Sequence, residues 1–162
     1  SEKKVIVITG AAQGIGLAAV KNMQEGWAVA ATDIKKEQLD GEVTKLTAQG
    51  ADVTAYELDV ANYKQGQEVV AQVVKKYGRI DALFNDAGIV GHRKNVLSFD
   101  PEEIKQAENV NLWGSLYLIQ HVGRVFIEKG IKGAIVNVSS FVASFAEWTP
   151  FAYGISKTAV DG

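Results

Sequence analysis

The chain has 162 residues, 47% of them hydrophobic and 22% charged, with a formal net charge of −2 and no cysteine. That is enough chain for one domain with a real core and short for two, so residues 1–162 read as a single domain. The charge balance gives no basic field for nucleic acid or an anionic membrane, the cysteine count excludes a disulfide framework and cysteine-ligated zinc, and no apolar stretch nears the roughly 18 residues of a membrane span.

Ser1-Glu2-Lys3-Lys4 shows no secretory pattern and suits a cytoplasmic protein that has lost its initiator methionine. From there, short β-rich runs alternate with helical ones, the pattern of βαβ units and a parallel sheet. Val5-Ile6-Val7-Ile8 is a continuous apolar run, as in a strand buried on both faces. A glycine-rich turn leads into a helix to about Met23, and Ala28–Ala31 forms a second strand ending at Asp33. A helix is predicted over about Lys36–Gln49 with Gly50 at its C-terminal cap, then a third strand over Val53–Leu58. Tyr63–Tyr77 places Val69, Val70, Val73 and Val74 at helical spacing and stops at Gly78.

Ile80–Asn85 reads as the fourth strand and residues 86–100 as a loop. Asp100-Pro101-Glu102-Glu103 is a helix start, with an Asp N-cap and proline in the first turn. The long helix from about Asn111 to Lys129 carries Leu112, Leu116, Ile119 and Phe126 along one stripe. Trp113, Tyr117, Leu118 and Val125 widen the apolar arc. Such a helix is expected to cover the sheet and also to meet another helix or subunit, making residues 111–130 the expected homo-oligomer contact. Ala134–Val138 reads as a fifth buried strand. Together these elements predict an α/β fold, a Rossmann-like doubly wound parallel sheet with helices on both faces.

Three groups of residues carry chemistry. Thr9-Gly10-Ala11-Ala12-Gln13-Gly14-Ile15-Gly16 lies between the first strand and first helix, where glycines permit a tight turn and close approach to a pyrophosphate and where the helix N-terminus offers N–H groups. Asp33 follows Gly10 by 23 residues at the end of the second strand, placed to accept hydrogen bonds from an adenosine ribose. A carboxylate there repels a 2′-phosphate, which favours NAD over NADP; Lys35 and Lys36 argue the other way. Tyr153 and Lys157 lie four apart on one helix face, with Ser140 thirteen residues before the tyrosine. An ammonium near a phenol stabilises the phenolate, the form a general base of alcohol–ketone chemistry needs. His92 reads as a solvated loop histidine and His121 as a surface or interface residue. Without cysteines or paired histidines, no metal site is expected.

These motifs, in this order and spacing, resemble the short-chain dehydrogenase/reductase family in its TGxxxGxG and YxxxK form, over Lys4 to Gly162. The resemblance implies that Gly10, Gln13, Gly14, Ile15, Gly16 and Asp33 bind the cofactor. Asp59-Val60 looks like the adenine-contacting pair, and Asn85-Asp86-Ala87-Gly88 is similar to the family's NNAG, with Asp86 in place of the second asparagine. It further implies that Tyr153 moves the proton, that Lys157 tunes it and holds the nicotinamide ribose, that Ser140 hydrogen-bonds the substrate oxygen, and that Asn111 helps hold a catalytic water. The implied activity is NAD-dependent hydride transfer to or from a small-molecule secondary alcohol or ketone, with substrate selection from loops 86–100 and 141–152. Phe141, Phe145, Trp148 and Phe151 suggest an apolar pocket wall.

Two departures matter. Family members continue for roughly 80 residues past this tyrosine helix, with further strands and a substrate lid, and here only Thr158–Gly162 follow Lys157. The chain is therefore expected to be a piece of a longer protein, a natural truncation or a compact engineered core, and to expose Val136 and Val138 at a sheet edge. The alternative function is an NAD-binding module with little turnover. Asp86 is expected to cost stability rather than chemistry.

Overall fold

The computed structural model describes residues 3–23, 25–92, 97–144 and 150–162. Five parallel strands form one sheet in the order β3-β2-β1-β4-β5: β1 Lys4–Thr9, β2 Trp27–Asp33, β3 Val53–Glu57, β4 Ala82–Asn85 and β5 Ala134–Asn137. The helices are α1 Gly14–Asn22, α2 Lys36–Ala48, α3 Tyr63–Tyr77, α4 Pro101–Ala107, α5 Gly114–Lys129 and α6 Phe151–Asp161. A π-helical stretch, Glu108–Trp113, joins α4 to α5 without a break.

The two-residue period of β1 builds two cores. Val5 and Val7 point to one face, among Leu58 just after β3, Val69 and Val73 of α3, and Leu118 and Val122 of α5. Ile6 and Ile8 point to the other, among Val20, Leu39, Val43 and Leu46 from α1 and α2. A strand covered on both faces cannot alternate polar with apolar, which is why β1 reads as an unbroken apolar run. At roughly 1.5–3 kcal/mol for each fully buried aliphatic side chain, these paired layers are the main hydrophobic drive for the sheet.

Strand order reverses between β1 and β4. Residues leaving the C-terminal ends of these two strands flank a crevice, the usual place for a ligand in an open α/β sheet. Local signals fix the neighbouring helices. The Asn62 side chain accepts from the Gln65 N–H at 3.0 Å to open α3, and Asp100 accepts from the Glu102 N–H at 3.0 Å to open α4.

β5 carries the apolar run of a buried strand but lies at the sheet edge with all four residues exposed, the edge expected where nothing pairs beyond it among the described residues. Two expectations for α5 are corrected. The buried stripe of α5 is Gly114, Leu118, His121, Val122 and Val125, while Leu116 of the expected stripe is 43% exposed. His121 is buried rather than superficial: its Nε2 lies 3.1 Å from the Tyr63 carbonyl oxygen, its ring packs on that of Tyr63, and burial pushes its pKa down. Glycine and histidine do not read as apolar, so the sequence hid the face that the sheet selects.

Candidate active site

The glycine turn rises from β1 and is closed by close backbone packing. Gly10 has φ +66°, and a Cβ there would stand 3.0 Å from the backbone N and Cα of Ala87. A Cβ on Gly16 would come within 2.2 Å of the Gly10 carbonyl oxygen, so α1 can start against the strand only with glycine at that position. The helix begins without a side-chain cap and with no acidic residue of its own in the first turn, so its N-terminal end suits an anion. Gln13, Gly14 and Ile15 are exposed at the mouth of the turn.

Asp33 is buried at the end of β2, and each carboxylate oxygen accepts one backbone N–H, Ala12 at 2.9 Å and Lys35 at 2.9 Å. Those bonds aim the group and leave further lone pairs for a diol. The two lysines that argued for a phosphate part company. Lys36 pairs with Asp40 along α2, whereas Lys35 reaches back to donate to Gln13 Oε1 at 3.3 Å. Asp59 follows β3; its Oδ1 accepts the Ala61 N–H at 3.0 Å. The Val60 side chain lies in the core against Gly114, so any contact from Val60 to an adenine would come from its main chain.

After β4, the Thr9 hydroxyl accepts the N–H groups of both Asp86 and Ala87 at 3.0 Å, pinning this segment over the glycine turn. Asn85 is buried and ties the sheet, donating from Nδ2 to Asn137 Oδ1 at 3.0 Å and to the Ser115 carbonyl at 3.4 Å. Gly88 is kept small by Asn111, whose Oδ1 would lie 3.1 Å from an added Cβ. The half-buried Asp86 carboxyl accepts the Gly16 N–H and lies within electrostatic reach of Lys157. Burial outweighs both and pushes its pKa up, so its ionised form costs stability.

The helix carrying Tyr153 and Lys157, α6, places Lys157 Nζ 5.7 Å from the centroid of the Tyr153 ring. Lys157 is 4% exposed and donates from Nζ to the Val138 carbonyl at 2.6 Å, just past β5. Burial pushes its pKa down, opposed by the charges of Asp86 and Asp161. Ser139 Oγ donates to the Lys157 carbonyl at 3.4 Å. Ser140 has extended backbone, φ −157° and ψ 151°, and its Oγ accepts the Val142 N–H at 3.4 Å at the start of the short turn Phe141–Ala143.

Asn111 sits in the π-helical stretch and is 1% exposed. Its Oδ1 accepts the Ile89 N–H at 2.8 Å, and its Nδ2 donates to the Ile89 carbonyl at 2.9 Å and to Ser156 Oγ at 2.8 Å. Both side-chain donor hydrogens are therefore spent on fastening the loop after β4 to α6. Ser156, buried and passed over by sequence reasoning, completes the link by donating to the Tyr153 carbonyl at 2.9 Å. The only signal for it was a small hydroxyl beside Lys157.

Of the aromatic residues expected to line a pocket, Phe151 packs on Phe99 with ring centroids 5.4 Å apart, Phe141 is 71% exposed, and Phe145 and Trp148 lie outside the described residues. His92 is exposed and pairs through Nδ1 with Glu103. Among the described residues no cluster of His, Asp and Glu is arranged to hold a metal ion, and no helix is long and apolar enough to cross a membrane.

A family model for short chain dehydrogenases matches residues 4–162. The 3-oxoacyl-[acyl-carrier-protein] reductase FabG of Thermotoga maritima is 41% identical over 99% of this chain and 65% of its own length. Among solved structures, a short chain dehydrogenase/reductase from Burkholderia phymatum in complex with NAD superposes with a TM-score of 0.92 at 28% identity, covering 99% of this chain and 57% of that one. An NAD+-bound xylitol dehydrogenase gives 0.91 at 32% identity, covering 97% and 60%. The chain spans 55–65% of the length of the curated relatives it matches.

Proposed function

The chain belongs to the short-chain dehydrogenase family, and on that footing we propose that it serves an NAD(H)-dependent oxidoreductase of secondary alcohols and ketones, with Tyr153 as general acid/base. The observation that carries this reading is the placement of Tyr153 and Lys157 on one face of α6, with the buried ammonium held at the Val138 carbonyl. The residues around the glycine turn fit a dinucleotide: a first helical turn free of its own acids for the pyrophosphate, and a fixed carboxylate at Asp33 for the adenosine ribose. A nicotinamide, when bound, supplies or accepts the hydride.

In the reducing direction the Tyr153 hydroxyl gives its proton to the substrate oxygen as the carbonyl carbon gains the hydride; oxidation reverses both transfers. Lys157 stabilises the phenolate left behind and holds the ribose nearest the reacting ring. Ser140 donates to the substrate oxygen, where negative charge grows in the transition state. Asn111 acts through position, fixing α6 to the loop after β4. Asp33 favours NAD over NADP by repelling a 2′-phosphate. The exposed apolar residues Trp113, Leu116 and Ile127 support self-association through residues 111–130.

Reduction of small ketones, followed by NADH consumption, tests the assignment. Tyr153→Phe is expected to lower turnover by at least about 100-fold, within the usual range for a general acid, while NADH affinity stays within about twofold. Turnover unchanged in the variant refutes the role of Tyr153. A parent that binds NADH without consuming it supports instead the alternative, an NAD-binding module with little turnover.

A further inference from the structure

Asp86 is a charged group set against the cofactor turn that the proposed mechanism does not use. Its backbone N–H is held by Thr9 Oγ1 at 3.0 Å, and its carbonyl carbon would stand 3.3 Å from a Cβ on Gly10. Its carboxyl accepts the Gly16 N–H in the first turn of α1 and is within electrostatic reach of Lys157. It therefore touches the phosphate end of the crevice and feels the charge of the lysine on α6. The charged groups that reach Lys157 are Asp86 and Asp161, and Asp161 is exposed at the last turn of α6.

We propose that Asp86 makes the site discriminate between the two redox forms of the nicotinamide, favouring the oxidised, cationic ring and so rendering bound NADH the stronger hydride donor, poised for carbonyl reduction. This rests on the cofactor and lysine assignments proposed above. Oxidised and reduced cofactor carry the same pyrophosphate and the same adenosine, and differ by one positive charge on the ring. A buried ammonium at Lys157 opposes a cationic ring beside it; the Asp86 carboxylate answers that ammonium and removes the opposition. The same carboxylate repels the pyrophosphate of both forms equally. Its net effect is a weaker hold on the cofactor as a whole and a relative preference for the oxidised form. By linkage, the factor by which the oxidised form is preferred is the factor by which hydride donation from the bound reduced form is favoured.

The test is the affinity of NAD+, NADH and ADP-ribose for the parent and for Asp86→Asn, by calorimetric titration at about pH 8, far above the ordinary carboxyl range of about 4. Asparagine is the residue the family pattern carries at this position, so the fold accommodates it, and far-UV circular dichroism checks that it does. ADP-ribose reports the phosphate repulsion alone. In the variant, NADH and ADP-ribose are expected to bind about 3–10-fold more tightly and by similar factors, the size of one partly screened charge contact. NAD+ is expected to gain at least about threefold less, so that Kd(NADH)/Kd(NAD+) falls by about that factor. If all three ligands change together, or none changes, the discrimination by Asp86 is refuted while the cofactor assignment stands. If the parent binds none of them, the cofactor assignment fails and takes this inference with it.

Discussion

Asn111→Ala removes three hydrogen bonds at once from a position that is 1% exposed. Each bond contributes about 1 kcal/mol net, and each buried partner left without a substitute costs about 1–3 kcal/mol more. The Ile89 N–H is half-buried and gains some solvent; Ser156 Oγ is fully buried and keeps only its bond to the Tyr153 carbonyl. The expected loss is about 3 kcal/mol, a large share of the roughly 5–15 kcal/mol that holds such a domain together. For a chain of this size it corresponds to a melting point lower by about 6–12 °C. Urea unfolding followed by circular dichroism measures it directly. Asn111→Asp keeps the acceptor for the Ile89 N–H but sets a carboxylate against the Ile89 carbonyl, so it is expected to be no more stable than the alanine variant. Turnover should fall further than NADH affinity in both, because the lost bonds fasten α6 and not the glycine turn. A loss below about 1 kcal/mol, with turnover intact, refutes the claim that Asn111 is the fastening point.

Gly16→Ala forces a Cβ to within 2.2 Å of the Gly10 carbonyl oxygen, a backbone atom that cannot swing aside. It is expected to cost about 1–3 kcal/mol or more and to weaken NADH binding at least about tenfold; calorimetric binding at the parent's level refutes the packing argument. Asp81 is buried and accepts from the Val5 N–H at 2.8 Å and from Arg79 at 2.6 and 2.9 Å. Burial raises its pKa, but Arg79 and the Val5 N–H outweigh it and hold the carboxyl below its ordinary value. A depressed folded-state pKa gives stability that is present above the unfolded value of about 4 and is lost as pH falls through the folded value. Asp81→Asn should therefore cost about 1–2 kcal/mol at neutral pH, with the gap to the parent closing below about pH 4; a gap independent of pH refutes it. Leu116→Glu, on the exposed side of α5, should shift light-scattering mass from oligomer to monomer, and a parent already monomeric at high concentration refutes self-association there.

The cofactor side of the molecule was legible because its signals are local. A glycine turn after an apolar run, an aspartate at the next strand end and capped helices all act over a few residues, and Tyr63–Tyr77 matches its predicted span. The half carrying Tyr153 and Lys157 was legible as a list of residues but not as a structure. A π-helical stretch has no sequence signature of its own, so nothing announced that Asn111 would turn inward to meet Ile89 and Ser156. The face of α5 that meets the sheet contains Gly114 and His121, and a wide apolar arc lets several stripes compete until the sheet chooses one. Asp86 was legible as a departure from the family pattern, but its setting against Gly16 and within reach of Lys157 depends on β1, β4 and α6 meeting, which no local window contains.

The two halves of the site are held by different means, and this bears on how they can fail. The glycine turn is fixed by backbone packing against β4, by Asp33 and by the Thr9 hydroxyl, all rooted in the three central strands of the sheet. The helix carrying Tyr153 and Lys157 is fixed by side-chain bonds to Asn111, Val138 and Ser139, beside a strand whose residues are all exposed. Bonds of the second kind open with the low free energies of a local fluctuation, whereas the first kind opens only when the sheet does. The order of loss under denaturant follows. Turnover should disappear at lower urea than cofactor binding, and cofactor binding should disappear together with the circular dichroism of the sheet. Both functions vanishing in one transition would show instead that α6 is part of the same cooperative unit as β1, β2 and β4.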